Sequence, residues 1–155
     1  MDGVTIRPFR PADQERVRAL VLAGLGDHWG TIDETLNPDL DDIAGTYVAR
    51  GHHVAVAWIG DEVVGTGTLM SVSPAEGRLV RMSVAGSHRG RGIGRRLVGH
   101  LLSEARARGQ RRVWVETTET WEDAIGLYRA CGFRIDGSRD GDVHMYLDLD
   151  GAGAP

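Results

Sequence analysis

The residues of this chain with the clearest chemical capacity are Arg89-Gly90-Arg91-Gly92-Ile93-Gly94-Arg95-Arg96. Upstream, Leu79-Val80-Arg81-Met82-Ser83-Val84 reads as a strand. Downstream, Ile93, Leu97, Leu101 and Ala105 recur every four residues, as a helix face does. The glycines therefore fall where a strand turns into a helix. The first backbone N–H groups of a helix are unpaired, its dipole adds positive potential there, and a missing Cβ lets a ligand approach the main chain. Together these features suit an anion, phosphate above all. Taken alone, a Gly-rich turn serves geometry equally well, so its surroundings must decide. A P-loop is excluded because no Lys-Ser or Lys-Thr follows and the chain contains no lysine. A dinucleotide fingerprint fails too, since Arg95 stands where its third glycine belongs and no βαβ pattern precedes it.

What remains is a different phosphate binder. Arg89, Gly92 and Gly94 meet the pattern Arg/Gln-x-x-Gly-x-Gly/Ala and resemble motif A of the GNAT acetyltransferase superfamily. The apolar strand end that precedes the loop in that family is matched by Met82-Ser83-Val84, five residues before the arginine. A second signature, Ala124-Ile125-Gly126-Leu127-Tyr128-Arg129-Ala130-Cys131-Gly132-Phe133, is similar to the family's helix ending A-x-x-x-Y-x-x-x-G-F. The resemblance runs from Val4 to Leu149.

The resemblance implies acetyl-CoA as co-substrate and an amine as acceptor. It implies a diphosphate on the N–H groups of Arg89, Gly90, Arg91, Gly92, Ile93, Gly94 and Arg95, and a pantetheine arm along the main chain of Met82, Ser83 and Val84. The Val84 amide would be the oxyanion donor and Tyr128 the general acid, a phenol being protonated at neutral pH. The alternative for Tyr128 is a buried aromatic packed on the sheet. The chain departs from the family at two positions. Trp121 stands three residues before Ala124, where an Asn often contacts pantetheine, and Arg78 stands six before Val84, where some members carry a glutamate base. The base is therefore unassigned, with Glu76, Glu116 and Glu119 as candidates and His28 or Glu34 as further ones. Two other readings share the cofactor site: a non-catalytic acyl-CoA-binding module and a transferase for another acyl group.

These residues need a scaffold. Val4–Arg7 reads as a first strand ended by Pro8; Pro11 fits the start of a helix whose face is Val17, Leu20, Val21 and Leu25. Gly26 to Asp42 reads as an acidic loop, followed by a short helix near Leu40–Thr46. His53–Ile59 and Val63–Met70 alternate as a hairpin around Gly60-Asp61-Glu62. Then come a strand at Arg78–Val84, the helix to about Arg108, a strand at Arg112–Thr117, a helix at Trp121–Ala130, and a last antiparallel pair at Phe133–Ile135 and Val143–Leu149. The expected fold is α/β, one domain over 1–150 with order β-α-α-β-β-β-α-β-α-β-β and a flexible tail at 151–155. The resemblance adds that the strands ending near Val84 and starting near Arg112 splay apart to admit the acyl chain.

Charge is segregated along the chain. Residues 1–77 hold 5 Arg and 12 acids, 78–112 hold 10 Arg and 1 acid, and 113–155 hold 3 Arg and 9 acids. A basic block around the glycine loop would attract a polyanion such as coenzyme A. Nucleic acid fits poorly, because net charge is -4 and no basic-aromatic interleaving occurs. Six acids between Gly26 and Asp42 suggest a cationic amine acceptor, although caps and turns use acids too. His52, His53 and His144 are too scattered for a metal site. No signal-peptide pattern or membrane-spanning run is present, and Cys131 is the only cysteine, so a cytoplasmic setting is expected. The family resemblance makes a homodimer plausible.

Overall fold

The structure, a computed structural model, describes residues 3–29 and 37–149. Glu34 and the tail at 151–155 lie outside the described residues. Seven strands form one sheet: β1 (Val4–Pro8), β2 (His53–Ile59), β3 (Glu62–Ser71), β4 (Glu76–Val84), β5 (Arg112–Thr118), β6 (Arg134–Arg139) and β7 (Asp142–Asp148). Their spatial order is β1-β2-β3-β4-β5-β7-β6. Every neighbouring pair is antiparallel except β4 and β5, which run parallel. Among the described residues, four α-helices complete the mixed α/β fold: α1 (Gln14–Trp29), α2 (Ile43–Thr46), α3 (Ile93–Ala107) and α4 (Glu122–Ala130).

The four-residue period does what it implies, since Ile93, Leu97, Leu101 and Ala105 are all buried on α3. They pack on Ala55, Ala57, Leu69, Leu79, Val113, Val115 and Met145, which project from one face of the sheet. Alternate residues Val54, Val56, Trp58, Val63 and Val80 project from the other face, where Val17 of α1 and Ile43 of α2 meet them. Period two along each strand thus assigns one set of side chains to α3 and α4 and the other to α1 and α2.

Several boundaries differ from the sequence reading: β4 begins at Glu76 rather than Arg78, β6 runs on to Arg139 rather than ending at Ile135, and three helical boundaries shift. α1 continues to Trp29, so Gly26 and Asp27 are helical rather than loop. Pro11 opens a 3-10 turn, Pro11–Asp13, in which the Asp13 carboxylate accepts from the Arg10 N–H at 2.9 Å before α1 begins. The short second helix is divided: Pro38–Asp41 is 3-10 and only Ile43–Thr46 is α-helical, because Asp42 interrupts the run to cap α2 through Gly45 N–H at 2.9 Å.

Two irregularities in the sheet position the site. Thr66 pairs with Ser83 and Thr68 with Val80, so Gly67 alone faces both Arg81 and Met82 in a β-bulge. A Cβ at Gly67 would collide with the Met82 sulfur. Arg81 takes φ 54°, a left-handed conformation unusual for a residue with a side chain. Its guanidinium is clamped by Asp39 (Nε–Oδ2 2.9 Å, Nη2–Oδ1 2.7 Å) and Asn37 (3.0 Å), which hold the bulge in place. Tyr47 donates its hydroxyl to Asp39 Oδ2 at 2.6 Å. Burial alone would raise the Asp39 carboxyl, but the Arg81 and Tyr47 hydrogen bonds outweigh it and hold the group below its ordinary 3.8. Burial first, and then Asp39, push the Tyr47 phenol up to about 12.

The second irregularity is the β4–β5 pair itself. Its register runs from Glu76↔Arg112 only to Leu79↔Val115, although β4 continues to Val84 and β5 to Thr118. Beyond Leu79 the strands part, and a gap opens through the sheet.

Candidate functional site

A cleft of about 640 Å³ occupies this gap, within the ~300–1,000 Å³ usual for ligand sites. Val80 to Val84 form one wall and Val115 to Thr117 the other. On one side of the sheet it is bounded by the start of α3 and by α4 through Ala124, Leu127 and Tyr128. On the other it reaches Val21, Gly24 and Leu25 of α1.

The glycine loop forms the mouth on the α3 side. Gly90 and Gly92 have φ 78° and 84°, and Gly92 is the N-cap of α3 with no side chain capping it. The first intrahelical bond there is Arg96 N–H to Gly92 O at 3.1 Å, so the N–H groups of Ile93, Gly94 and Arg95 precede the first turn's acceptors. A Cβ placed at Gly92 would meet no other atom within 4 Å, so the space beside it is open. Arg89, Gly90, Gly92, Ile93, Gly94 and Arg95 all line the cleft; Arg91, among the expected cofactor residues, does not. These donors fit a diphosphate.

Met82, Ser83 and Val84 also lie on the wall. Ala85 N–H bonds Val64 O at 2.8 Å on β3, and successive N–H groups of a strand point to opposite sides. The Val84 N–H is therefore directed away from β3, into the gap that β5 has left. The Val84 carbonyl accepts from Arg89 Nε at 3.2 Å, while Arg89 Nη2 reaches Asp27 of α1 at 3.0 Å. The Arg89 side chain thus ties α1 to the loop, a positioning role beyond its place in the motif.

Tyr128 is 5% exposed and lines the cleft, with Phe133 edge-on at 5.7 Å between ring centroids. Burial, and to a lesser extent Cys131, raise its phenol above the ordinary value of 10.0, so it stays protonated throughout the neutral range. Burial likewise raises the Cys131 thiol, which leaves it unactivated as a nucleophile. Trp121 also lines the cleft, at the start of α4.

The base candidates separate. β4 extends to Glu76, but at its closed end, where the carboxylate accepts from Trp114 Nε1 at 2.9 Å and lies off the cleft. Glu119 follows β5 in an exposed turn, its N–H on Gly141 O at 2.9 Å, and is also off the cleft. Glu116 is on the cleft wall. Its Oε1 is 2.5 Å from Arg78 Nη2 and 3.3 Å from His144 Nδ1. Arg78 thus pairs with a carboxylate on the next strand. The His28 side chain and all of Glu34 lie outside the described residues.

Sequence reasoning missed Arg81, Leu79, Val80, Thr117 and the Arg78–Glu116–His144 cluster. Only cross-strand register brings that cluster together: Arg78 pairs with Trp114, and Glu116 with His144. Four of the six acids from the expected acceptor loop already have structural work. Asp27 binds Arg89, Asp39 binds Arg81, Asp41 lies 3.3 Å from Arg18, and Asp42 caps α2.

Residues 17–133 match the family model for the acetyltransferase (GNAT) family. The chain belongs to this family. Rat N-acetyltransferase 8 is 35% identical over 129 residues, which cover 79% of this chain and 58% of that protein. The chain spans about half the length of the first curated relatives it matches. Escherichia coli YjgM, an uncharacterized N-acetyltransferase, is 32% identical over 123 residues, 73% of this chain and 74% of its own. The GNAT fold is shared with an acetyltransferase of Staphylococcus aureus Mu50 (TM-score 0.83, 21% identity, 94% and 99% of the two chains). It is shared too with PaiA N-acetyltransferase of Thermoplasma acidophilum, solved with coenzyme A (TM-score 0.84, 13% identity, 94% and 99%). No described helix is long and apolar enough to cross a membrane.

Proposed function

We propose that this GNAT chain is an acetyl-CoA-dependent N-acetyltransferase that moves the acetyl group directly to an amine of a small molecule or peptide. The observation that carries this reading is the convergence of three groups on one cleft: the uncapped start of α3, the Val84 N–H turned into the β4–β5 gap, and the protonated Tyr128. The α3 N–H groups would hold the diphosphate, and the Val84 N–H would stabilise the tetrahedral oxyanion. Tyr128 would give a proton to the departing thiolate. Direct transfer is favoured because Cys131 is unactivated and no activated Ser or Cys faces the gap among the described residues. The lone cysteine supports action in a reducing, cytoplasmic compartment.

The test is thiol release from acetyl-CoA across a panel of alkylamines, peptides and aminoglycosides. Turnover on an amine supports the reading. Coenzyme A binding without release on any of them would favour a non-catalytic binding module.

A further inference from the structure

The bulge at Arg81 changes what β4 presents to the cleft. Val80 packs among Val17, Ile43 and Tyr47 on the α1/α2 face, and in a regular strand the next residue would turn to the α3 face. The extra residue cancels that alternation. Arg81 reaches Asp39 and Asn37 on the Val80 face, and Met82 returns to the α3 core. Glu116 stands on the Val80 face too, since its carboxylate pairs with Arg78, two residues before Val80, while Val115 is buried in the α3 core. Carried past Leu79↔Val115, the register would set Val80 across from Glu116, with Arg81 next along β4. Both Arg81 and Glu116 line the cleft, so a cation and an anion flank the gap on the α1/α2 side, one on each wall.

Each group is held at one edge and open at the other. The Nε–H of Arg81 and the N–H groups of Nη2 go to Asp39 and Asn37, which leaves the two donors of Nη1. Among the described residues the buried side-chain atoms without a partner are Arg7 Nε and Gln110 Oε1, so Nη1 is open rather than sealed in. Arg78 and His144 both approach Oε1 of Glu116, which leaves Oε2 on a side chain that is 35% exposed. Val21 and Leu25, one turn apart on α1, add an apolar wall on the same side. The other charged residues of the lining, His88, Arg89, Arg95 and Asp123, lie at the glycine loop, the start of α3 and α4.

Resting on the acetyltransferase reading, we infer that the acceptor is an α-amino acid with an apolar side chain. Its carboxylate takes the Nη1 donors of Arg81, its amine lies by Glu116 Oε2, and its side chain rests on Val21 and Leu25. A zwitterion carries the two charges that the walls complement. A diamine sets a second cation against Arg81, and a plain alkylamine leaves Nη1 unused, so both are poorer acceptors. Arg81 and Glu116 are on this account specificity-determining residues, and the bulge is what brings the arginine to the acceptor's side of the sheet.

The experiment is thiol release from saturating acetyl-CoA with L-leucine, L-methionine and L-phenylalanine, each set against its own amide and its decarboxylated amine. The amide's less basic nitrogen is more often free of its proton, so a preference for the amino acid runs against intrinsic reactivity. For the best amino acid, kcat/KM is expected to exceed that of both analogues by about 10²-fold, the loss when a guanidinium's carboxylate partner is missing. Arg81→Gln is expected to bring that ratio to within about threefold of unity. Glu116→Gln is expected to raise the amino acid's KM about tenfold at constant acetyl-CoA KM. An amide or amine used as well as its amino acid overturns the assignment even if neither variant folds, and so does an R81Q protein that keeps the wild-type ratio. Turnover confined to diamines, peptides or aminoglycosides overturns it too, and leaves the acetyltransferase reading standing. Wild type that turns over no amine at all contradicts that reading, and this inference with it.

Discussion

The Arg81 bulge offers a test in which the ordinary ranking of two residues should invert. In a regular strand, glycine is less stable than alanine by about 0.5–1 kcal/mol through chain entropy. Arg81 sits at φ 54°, where a Cβ costs roughly 1–2 kcal/mol that glycine avoids. Arg81→Ala and Arg81→Gly both delete the same clamp to Asp39 and Asn37. With the Arg81 side chain 25% exposed, that common loss is about 2 kcal/mol, toward the low end for charged hydrogen bonds after solvent screening. The difference between the variants therefore isolates backbone strain, and R81G should be more stable than R81A by about 0.5–1 kcal/mol. For a domain of this size that is a Tm gap of about 2 °C. Urea unfolding followed by circular dichroism measures it directly, provided the m-value is unchanged. Since glycine keeps the bulge that shapes the gap, R81G should also retain more acetyl-CoA affinity than R81A. If R81A equals or exceeds R81G in stability, the left-handed bulge is not the conformation this residue holds.

Other consequences are separable. Tyr128→Phe should lower kcat by about 10²-fold with acetyl-CoA affinity unchanged in calorimetry, and equal turnover would remove the phenol from the reaction. Gly92→Trp should abolish acetyl-CoA binding by filling the space beside the α3 N–H groups, while retained affinity would place the phosphates elsewhere. Asp39 has a folded pKa below its ordinary 3.8, so its stabilising contribution is complete above that value and is lost as pH falls through the lower folded one. Asp39→Asn should accordingly flatten stability against pH in the acid range, by denaturant titration at several pH values. His53 is held below the ordinary 6.5, by burial first and then by His100 and Arg108 against an opposing Glu104. Stability should therefore fall as pH drops from above 6.5, where the unfolded chain takes up the proton first. His53→Asn should reduce that slope; an unchanged slope would show that the His53–His100 contact at 3.1 Å does not govern it.

Local pattern carried much of this site. Glycines around the start of a four-residue apolar period are enough to locate a helix start, a short-range property of the chain, whereas the place of Tyr128 at the same site was what the family resemblance implied. The β2–β3 hairpin was likewise legible, but which of its side chains meet α3 was not, because β2 is buried on both faces. The bulge was not legible, since nothing in Leu79 to Val84 marks Arg81 as the residue that takes a positive φ; a carboxylate 42 residues away holds it there. The Arg78–Glu116–His144 cluster was hidden for the same reason. Its members come from three strands, and only the parallel β4–β5 register and the antiparallel β5–β7 register bring them together. Of the acids in the expected acceptor loop, Asp27, Asp39 and Asp42 brace the glycine loop, the bulge and α2, contacts that only the folded chain reveals.

The central claim is that the start of α3 and the β4–β5 gap form an acyl-CoA seat. Calorimetric titration of the wild-type chain with acetyl-CoA tests it most directly. Saturable one-to-one binding that weakens with added salt, as a phosphate cradle beside a basic block requires, is the predicted result. Absence of binding heat together with no acetyl-CoA-induced rise in Tm would contradict it.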